Sequence, residues 1–505
     1  MIVVCCPLSV YITGDLWPLK YFWFSLGTMR VPLLLSLSLV VVGQTLSEAD
    51  IATVTALLAQ GAKQSWELGT RAESLLELYA PQFSVFGSAG VPPPSSVPSN
   101  TTSAIAPVFS IAKNVVSALS NSTTGPQALI SGDGAAGDPA SIGVAVLLAN
   151  WTGQGTGGLN YAAAAQNQLD YLLNVVPRTS DGAISHRVAQ VQLWSDFVYM
   201  VPPFLAYYGA LTQNTTLINE AYNQINLYRN HLRDSKTSLW THIALGNNTN
   251  DTPNDPGHWS TGNAWAAAGM LRVLATMKNS PYSKSFSSQQ KDLGNWVKEI
   301  HSAMFAQIDS TNIFTNYADQ SINTTGSFYD TASTTLLAST VYRASLLLND
   351  HSHLPNAEKC RQALYATSPN SNQSSAASSS PPASSPPASS PSASHSSASG
   401  SSSHASTSAT PTAPSASPSA TIASINGLVH FTNDGWLTPV VNPEQFSAQG
   451  QNSPEGQAFV LLLDAAYSEW VAGGSVGANA ARRGSAAAGW TVLVCALLGA
   501  ALTLA

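Results

Sequence analysis

The chain has 505 residues, carries a formal net charge of −7, and only 9% of its residues are charged. No basic run accompanies that mild acidity, so nucleic acid is excluded as an expected partner. Four cysteines give no disulfide framework: Cys5, Cys6 and Cys495 lie near the ends, which leaves Cys360 alone in the body, where it reads as a buried apolar residue.

The N-terminus reads as a processing segment. Met29 is a second plausible start, Arg30 supplies positive charge, Val31 to Val42 is apolar, and small residues precede a cut after Gly43. Residues 1–43 are thus expected to be an upstream extension and a signal peptide. Helical spacing of apolar residues then recurs over Ile51–Ala59, Gln64–Tyr79, Ile105–Ala118, Ser141–Asn150, Tyr161–Leu173, Trp194–Leu211, Thr215–Leu232, Asn263–Met277, Gln289–Ala306, Tyr329–Leu348 and Asn356–Tyr365. Loops between them hold Gly, Pro, Asn and Asp. Residues 367–420 are Ser, Ala, Pro and Thr, a composition that cannot bury enough apolar surface to fold and that suits O-glycosylation. Ordered-looking sequence resumes, with Ser453 as a cap, Pro454 at the first helical position and an apolar stripe through Phe459, Leu462, Leu463 and Ala466. The low-complexity stretch therefore reads as an insertion in one domain spanning 44–366 and 421–472.

The last segment, 473–505, combines small residues at Asn479–Ala481, a short spacer and the uncharged apolar run Trp490–Ala505. That is the pattern of a GPI-anchor signal; the run is short for a span, which needs about 20 residues. Sequons at Asn100, Asn121, Asn150, Asn214, Asn247, Asn250, Asn323 and Asn372 agree with an extracellular, surface-anchored chain, whose membrane contact is a lipid. Twelve helices without alternating strands predict an all-α chain. Small-residue faces at Ala162–Ala165, Ala264–Gly269 and Ala332–Ala338 allow close packing in two layers, hence an (α/α)6 toroid of six hairpins.

Two motifs carry chemistry. The first is Trp194-Ser-Asp-Phe-Val-Tyr-Met200, which puts Asp196 into an aromatic run. Desolvation there is expected to raise its pKa and hold a proton for acid catalysis; the simpler alternative is a helix N-cap. The second is His258-Trp-Ser-Thr-Gly-Asn-Ala-Trp265, where Trp259 and Trp265 flank a turn and offer either a sugar platform or core packing. No metal-ligand motif or cofactor loop is present, so no cofactor is expected.

On these motifs, together with Ser453-Pro-Glu-Gly-Gln-Ala-Phe459, the stretch from Asp138 to Trp470 resembles the unsaturated glucuronyl and rhamnogalacturonyl hydrolases of glycoside hydrolase families 105 and 88. The resemblance implies a six-hairpin toroid and an oligosaccharide substrate whose terminal uronic ring carries a C4=C5 double bond. An Asp protonates that bond, water adds at C5, and the hemiketal opens to release the next sugar. It implies catalytic roles for Asp196 and Asp138, and substrate contacts for His186, Arg187, Trp194, His242, Trp259, Thr261, Asn263 and Trp265. Thr261 stands where the family has Arg, and Ala264 where it has Gly. Thr cannot replace a bidentate cation, so Arg187 supplies the charge, the substrate differs, or activity is lost. Competing readings are a non-catalytic glycan-binding or wall protein, and an α-mannan hydrolase or transglycosidase. The latter rely on an Asp-Asp pair, which this chain lacks.

Overall fold

The computed structural model describes residues 45–119, 125–155, 158–246, 253–367, 425 and 427–478. The expected signal peptide, nearly all of the Ser/Pro-rich insertion and most of the anchor signal lie outside these residues. Thirteen helices are present among the described residues. In chain order they are α1 (Glu48–Gly61), α2 (Ser65–Tyr79), α3 (Thr102–Ala118), α4 (Gly143–Trp151), α5 (Tyr161–Asn174), α6 (Phe197–Met200), α7 (Pro202–Leu211), α8 (Thr215–Leu232), α9 (Ser260–Asn279), α10 (Ser287–Phe305), α11 (Thr331–Leu348), α12 (Leu354–Leu364) and α13 (Pro454–Ala472).

Every helical stretch expected from apolar spacing forms, with one correction. Trp194–Leu211 is not continuous. Leu193–Trp194 is strand β1, and the backbone breaks at Val201 before Pro202 and Pro203, which have no N–H to continue the ladder. Three further short strands form: β2 (Ile243–Ala244), β3 (Val440–Asn442) and β4 (Gln445–Gly450). β1 pairs antiparallel with β2, and β3 with β4.

Helices alternate between two rings. α2, α4, α7, α9, α11 and α13 pack successively, and α13 closes on α2. α1, α3, α5, α8, α10 and α12 lie against them from outside. Inner helices are buried on all sides: α9 from Ser260 to Met277 and α11 from Thr331 to Ser345. That explains their Ala, Ser, Thr and Gly content, since only small side chains let neighbours approach on every face. At Gly269 a Cβ would lie 2.1 Å from the Val198 carbonyl oxygen, so α9 and α6 touch backbone to backbone. α13, which follows the Ser/Pro-rich stretch, packs on α1, α2 and α11 and completes the inner ring.

Within the ring, Arg272 of α9 pairs with Glu73 and Glu77 of α2, and Arg343 of α11 pairs with Glu77 and with Glu469 of α13. Burial pushes the Glu73 carboxyl up, against the pull of Arg272. Removing one member leaves an uncompensated buried charge, which destabilises far more than the intact set stabilises. Cys360 is free and buried, and burial lifts its thiol to about 12, so it is inert. Of the sequon asparagines, Asn100, Asn150, Asn214 and Asn323 are described, and all four are exposed.

Gly269→Ala is expected to cost roughly 2 kcal/mol or more of folding stability, because the added methyl meets rigid backbone. Urea unfolding measures it. Tolerance without loss would mean that α6 is free to slide on α9.

Candidate active site

A cavity of about 500 Å³ opens at the N-terminal ends of the inner helices. Its wall includes Trp66 of α2, Trp259 and Trp265 at the start of α9, and Glu455 in the first turn of α13. Asp138 opens a short 3-10 turn ahead of α4, and Asp196 directly precedes α6. Phe446 closes the remaining side from β4.

Backbone pairing sets the chemistry in place. The ladder between β1 and β2 puts Trp194 opposite Ile243, and the Ser195 N–H donates to the His242 carbonyl at 2.9 Å. Ile243 in turn exchanges two backbone bonds with Asp255. Asp196, His242 and Asp255 are thereby brought side by side. A second crossing, from the Ala136 N–H to the His186 carbonyl at 2.7 Å, brings His186 to Asp138. His186 stacks on Trp194 with ring centres 4.8 Å apart, and Phe446 stands edge-on to His242 at 4.5 Å. Gly262 is needed because a Cβ there would lie 2.3 Å from Ser195 Oγ, beside Asp196.

The two aspartate carboxyls are shifted in opposite directions. Asp138 is buried among carboxylates: desolvation, then Asp133 and Asp196, raise its pKa well above the ordinary value, and Arg187 only partly opposes them. Its Oδ1 lies 3.5 Å from His186 Nε2. His186 is no counter-cation, since burial lowers it to about 3 and keeps it neutral. Asp196 is the reverse. Burial pushes its carboxyl up, but His242 at 3.8 Å and the Ser195 hydroxyl at 3.1 Å outweigh that and hold it below the ordinary value. His242 resists its own burial because it lies between Asp196 and Asp255, and its pKa is raised. Its Nδ1 is 2.9 Å from Asp255 Oδ2, an oxygen that also accepts from the Tyr317 hydroxyl at 2.8 Å.

This corrects the expected direction for Asp196: the carboxyl that burial raises is that of Asp138, and that of Asp196 lies below its ordinary value. Desolvation acts on both, and a charged histidine reaches only one. The capping alternative for Asp196 also falls away, because its side chain makes no cap bond. His242 is tied to a carboxylate and lies beneath the cavity wall, orienting Asp196 from behind. Arg187 lines the cavity near the Trp194 ring, 5.7 Å from its centre, with no side-chain ion pair among the described residues. Trp194, Trp259 and Trp265 line the cavity as expected.

Thr261 and Asn263 do not. Thr261 is fully buried, and its hydroxyl donates to Asp330 Oδ2 at 2.7 Å. Asn263 spends its amide on the backbone of Trp240 and Trp259. Both brace the start of α9. The residues that the sequence reading missed are Trp66, Glu444, Phe446 and Glu455. Glu455 has a legible place, on a Ser-Pro-Glu helix start. It is buried, its pKa is raised well above the ordinary value by desolvation and then by Asp196, and its Oε1 has no hydrogen-bond partner.

Fold and site together define a six-hairpin helical toroid with an acid- and aromatic-lined cavity at one mouth. Residues 138–380 match the family model described as Glycosyl Hydrolase Family 88. A 125-residue stretch is 25% identical to the unsaturated rhamnogalacturonyl hydrolase YesR of Bacillus subtilis (strain 168), covering 24% of this chain and 36% of that protein. Among solved structures, the toroid resembles a family 105 glycoside hydrolase of C. acetobutylicum ATCC 824, with TM-score 0.55, 13% identity, and 84% of this chain against 100% of that one. It also resembles a family 88 glycosyl hydrolase of Bacteroides vulgatus, with TM-score 0.51, 14% identity, 83% of this chain and 99% of that one. Residues 138–380 thus resemble glycoside hydrolase family 88, and the fold is that of solved structures from families 88 and 105.

Thr261→Val removes one donor from the buried Asp330 carboxylate without touching the cavity. It is expected to cost about 1–3 kcal/mol of stability and to leave ligand affinity unchanged. Chemical denaturation and calorimetric titration separate the two. A loss of affinity with full stability would put Thr261 back in the site.

Proposed function

We propose that the protein is a secreted, surface-anchored glycoside hydrolase that acts on oligosaccharides ending in an unsaturated uronic acid. The observation that carries this reading is one aromatic-lined cavity that holds Asp138 and Asp196, their carboxyls shifted in opposite directions, with Arg187 as the cation of its lining. Hydration of a C4=C5 enol ether needs one acid and one base in that relation. Asp138 gives its proton to C4. Asp196 takes a proton from water as the water oxygen bonds to C5. The C5 hemiketal opens to a ketone, and the hemiacetal left at C1 releases the next sugar. Asp138 ends ionised and Asp196 protonated, and proton exchange through solvent restores both.

Arg187 suits the uronate carboxylate, and the three tryptophans suit the apolar face of the ring. The family's missing arginine does not weaken the reading, because Thr261 sits behind the wall and not in it. The N-terminal apolar segment, the C-terminal small-spacer-apolar pattern and the exposed sequons favour export and lipid anchoring.

Loss of the double-bond absorbance of lyase-generated oligosaccharides tests the activity. Asp196→Asn and Asp138→Asn are each expected to lower kcat by at least about 10² to 10⁴-fold. Equal rates for wild type and both variants would end the hydrolase reading. The pH profile separates the roles. Activity needs Asp196 ionised and Asp138 protonated, so it falls at low pH through the Asp196 carboxyl and at high pH through the Asp138 carboxyl. His242→Gln removes the cation beside Asp196, lets desolvation raise that carboxyl, and moves the acidic limb upward. An unmoved limb would remove His242 from the account.

A further inference from the structure

A second and larger cavity, about 970 Å³, adjoins the first. It lies over the turn between α1 and α2 and the loop that carries Trp436. Glu444 lines both cavities, and its Oε1 accepts from Gln64 Nε2 at 3.2 Å where they meet. The volume is at the top of the roughly 300–1,000 Å³ range of ligand sites. Its lining has what a sugar chain requires: the indole of Trp436 for a ring face, and the side-chain amides of Gln60 and Gln64 for hydroxyls. The local charge is acidic, with Glu67, Asp434 and Glu444 against Lys63. Glu67 is committed to the α1–α2 turn, accepting from the Lys63 and Gln64 backbone N–H groups at 2.7 and 2.9 Å. It adds negative potential without offering a hand to ligand.

Resting on the function proposed above, we infer that this groove is the binding site for the leaving-side sugars, and that it takes neutral sugar residues in preference to anionic ones. The chain has to leave the first cavity somewhere. The two adjoining cavities meet it at Arg187 and at Glu444. Arg187 holds the uronate carboxylate, so the remaining residues pass over Glu444. An uronate or sulfated sugar there would face Asp434 and Glu444 against one lysine, Lys63, whereas a neutral hydroxylated one carries no charge to repel.

The test compares an unsaturated uronic acid capping one neutral sugar with the same acid capping three. Wild type is expected to favour the longer substrate by about tenfold in kcat/KM, since remote contacts lower the barrier. Two exposed positions probe the groove without disturbing the core. Gln60→Trp fills it and should bring the long-to-short ratio to near one. Asp434→Lys should raise the relative rate on a substrate whose second sugar is a uronate by several-fold. A wild-type ratio of one, or a ratio that neither variant moves, overturns the inference while leaving the hydrolase intact. If no unsaturated substrate is turned over, the hydrolase reading fails on its own. Calorimetric titration of the four-sugar compound into wild type and Gln60→Trp then decides the groove: weaker binding by the variant supports it, and equal binding overturns it.

Discussion

A buried histidine held between two carboxylates sets the electrostatics of this cavity. His242 is wedged between Asp196 and Asp255, and its charge offsets burial for the carboxylate that it faces. Asp138 has no such partner, because the histidine beside it is driven neutral by the same burial. Two aspartates under one desolvation penalty are thus shifted in opposite directions, the order that an acid and a base require. That order survives only while Asp255 stays fixed by the Tyr317 hydroxyl and by the backbone ladder through Ile243. A flexible His242 would lose its charge, and both aspartates would then compete for the same proton.

The toroid supplies the rigidity. Trp66, Asp138, Asp196, Trp259 and Glu455 sit on or just before first turns, where position is set by ring packing, and His186, Arg187, Trp194 and His242 come from the loops and short strands between helices. The buried ion network lies further along the same helices. Trp66 and Glu77 share α2 and are separated by eleven residues, or roughly 16 Å at 1.5 Å per residue. Charge that binds the helices together is therefore kept away from charge that reacts. Close backbone approaches at Gly262 and Gly269 lock α9 against the Ser195–Val198 segment, so that Asp196 cannot drift from His242.

Much of this was legible in the residues. Apolar spacing located the helices, and of the three small-residue faces those at 264–269 and 332–338 fall on the inner ring, where a helix buried all round must be narrow, whereas 162–165 falls on the outer helix α5. The Trp-Ser-Asp and Trp-Ser-Thr-Gly-Asn-Ala-Trp motifs meet at one cavity, lined by Trp194, Asp196, Trp259 and Trp265. Four things were hidden. The two-residue pairing of β1 with β2 is too short to leave an alternating pattern, yet it is what brings His242 to Asp196. The pKa order of Asp138 and Asp196 depends on which histidine keeps its charge, a property of partners distant in sequence. Thr261 reads as a missing cation only if its side chain is assumed to face the ligand, and the bond to Asp330 lies 69 residues away. Glu444 and Phe446 come from a hairpin with weak sequence signal, folded over the cavity from the far side of the Ser/Pro-rich stretch.

The most direct measurement follows the C4 vinylic proton of the substrate by NMR while sugar release is monitored in the same sample. If Asp138 and Asp196 add water across the double bond, the vinylic signal vanishes in step with release, and in deuterated water one deuteron enters at C4. Sugar release that leaves the vinylic signal intact in the freed uronic acid would mean displacement at C1, and would contradict the assignment of an acid and a base to these two aspartates.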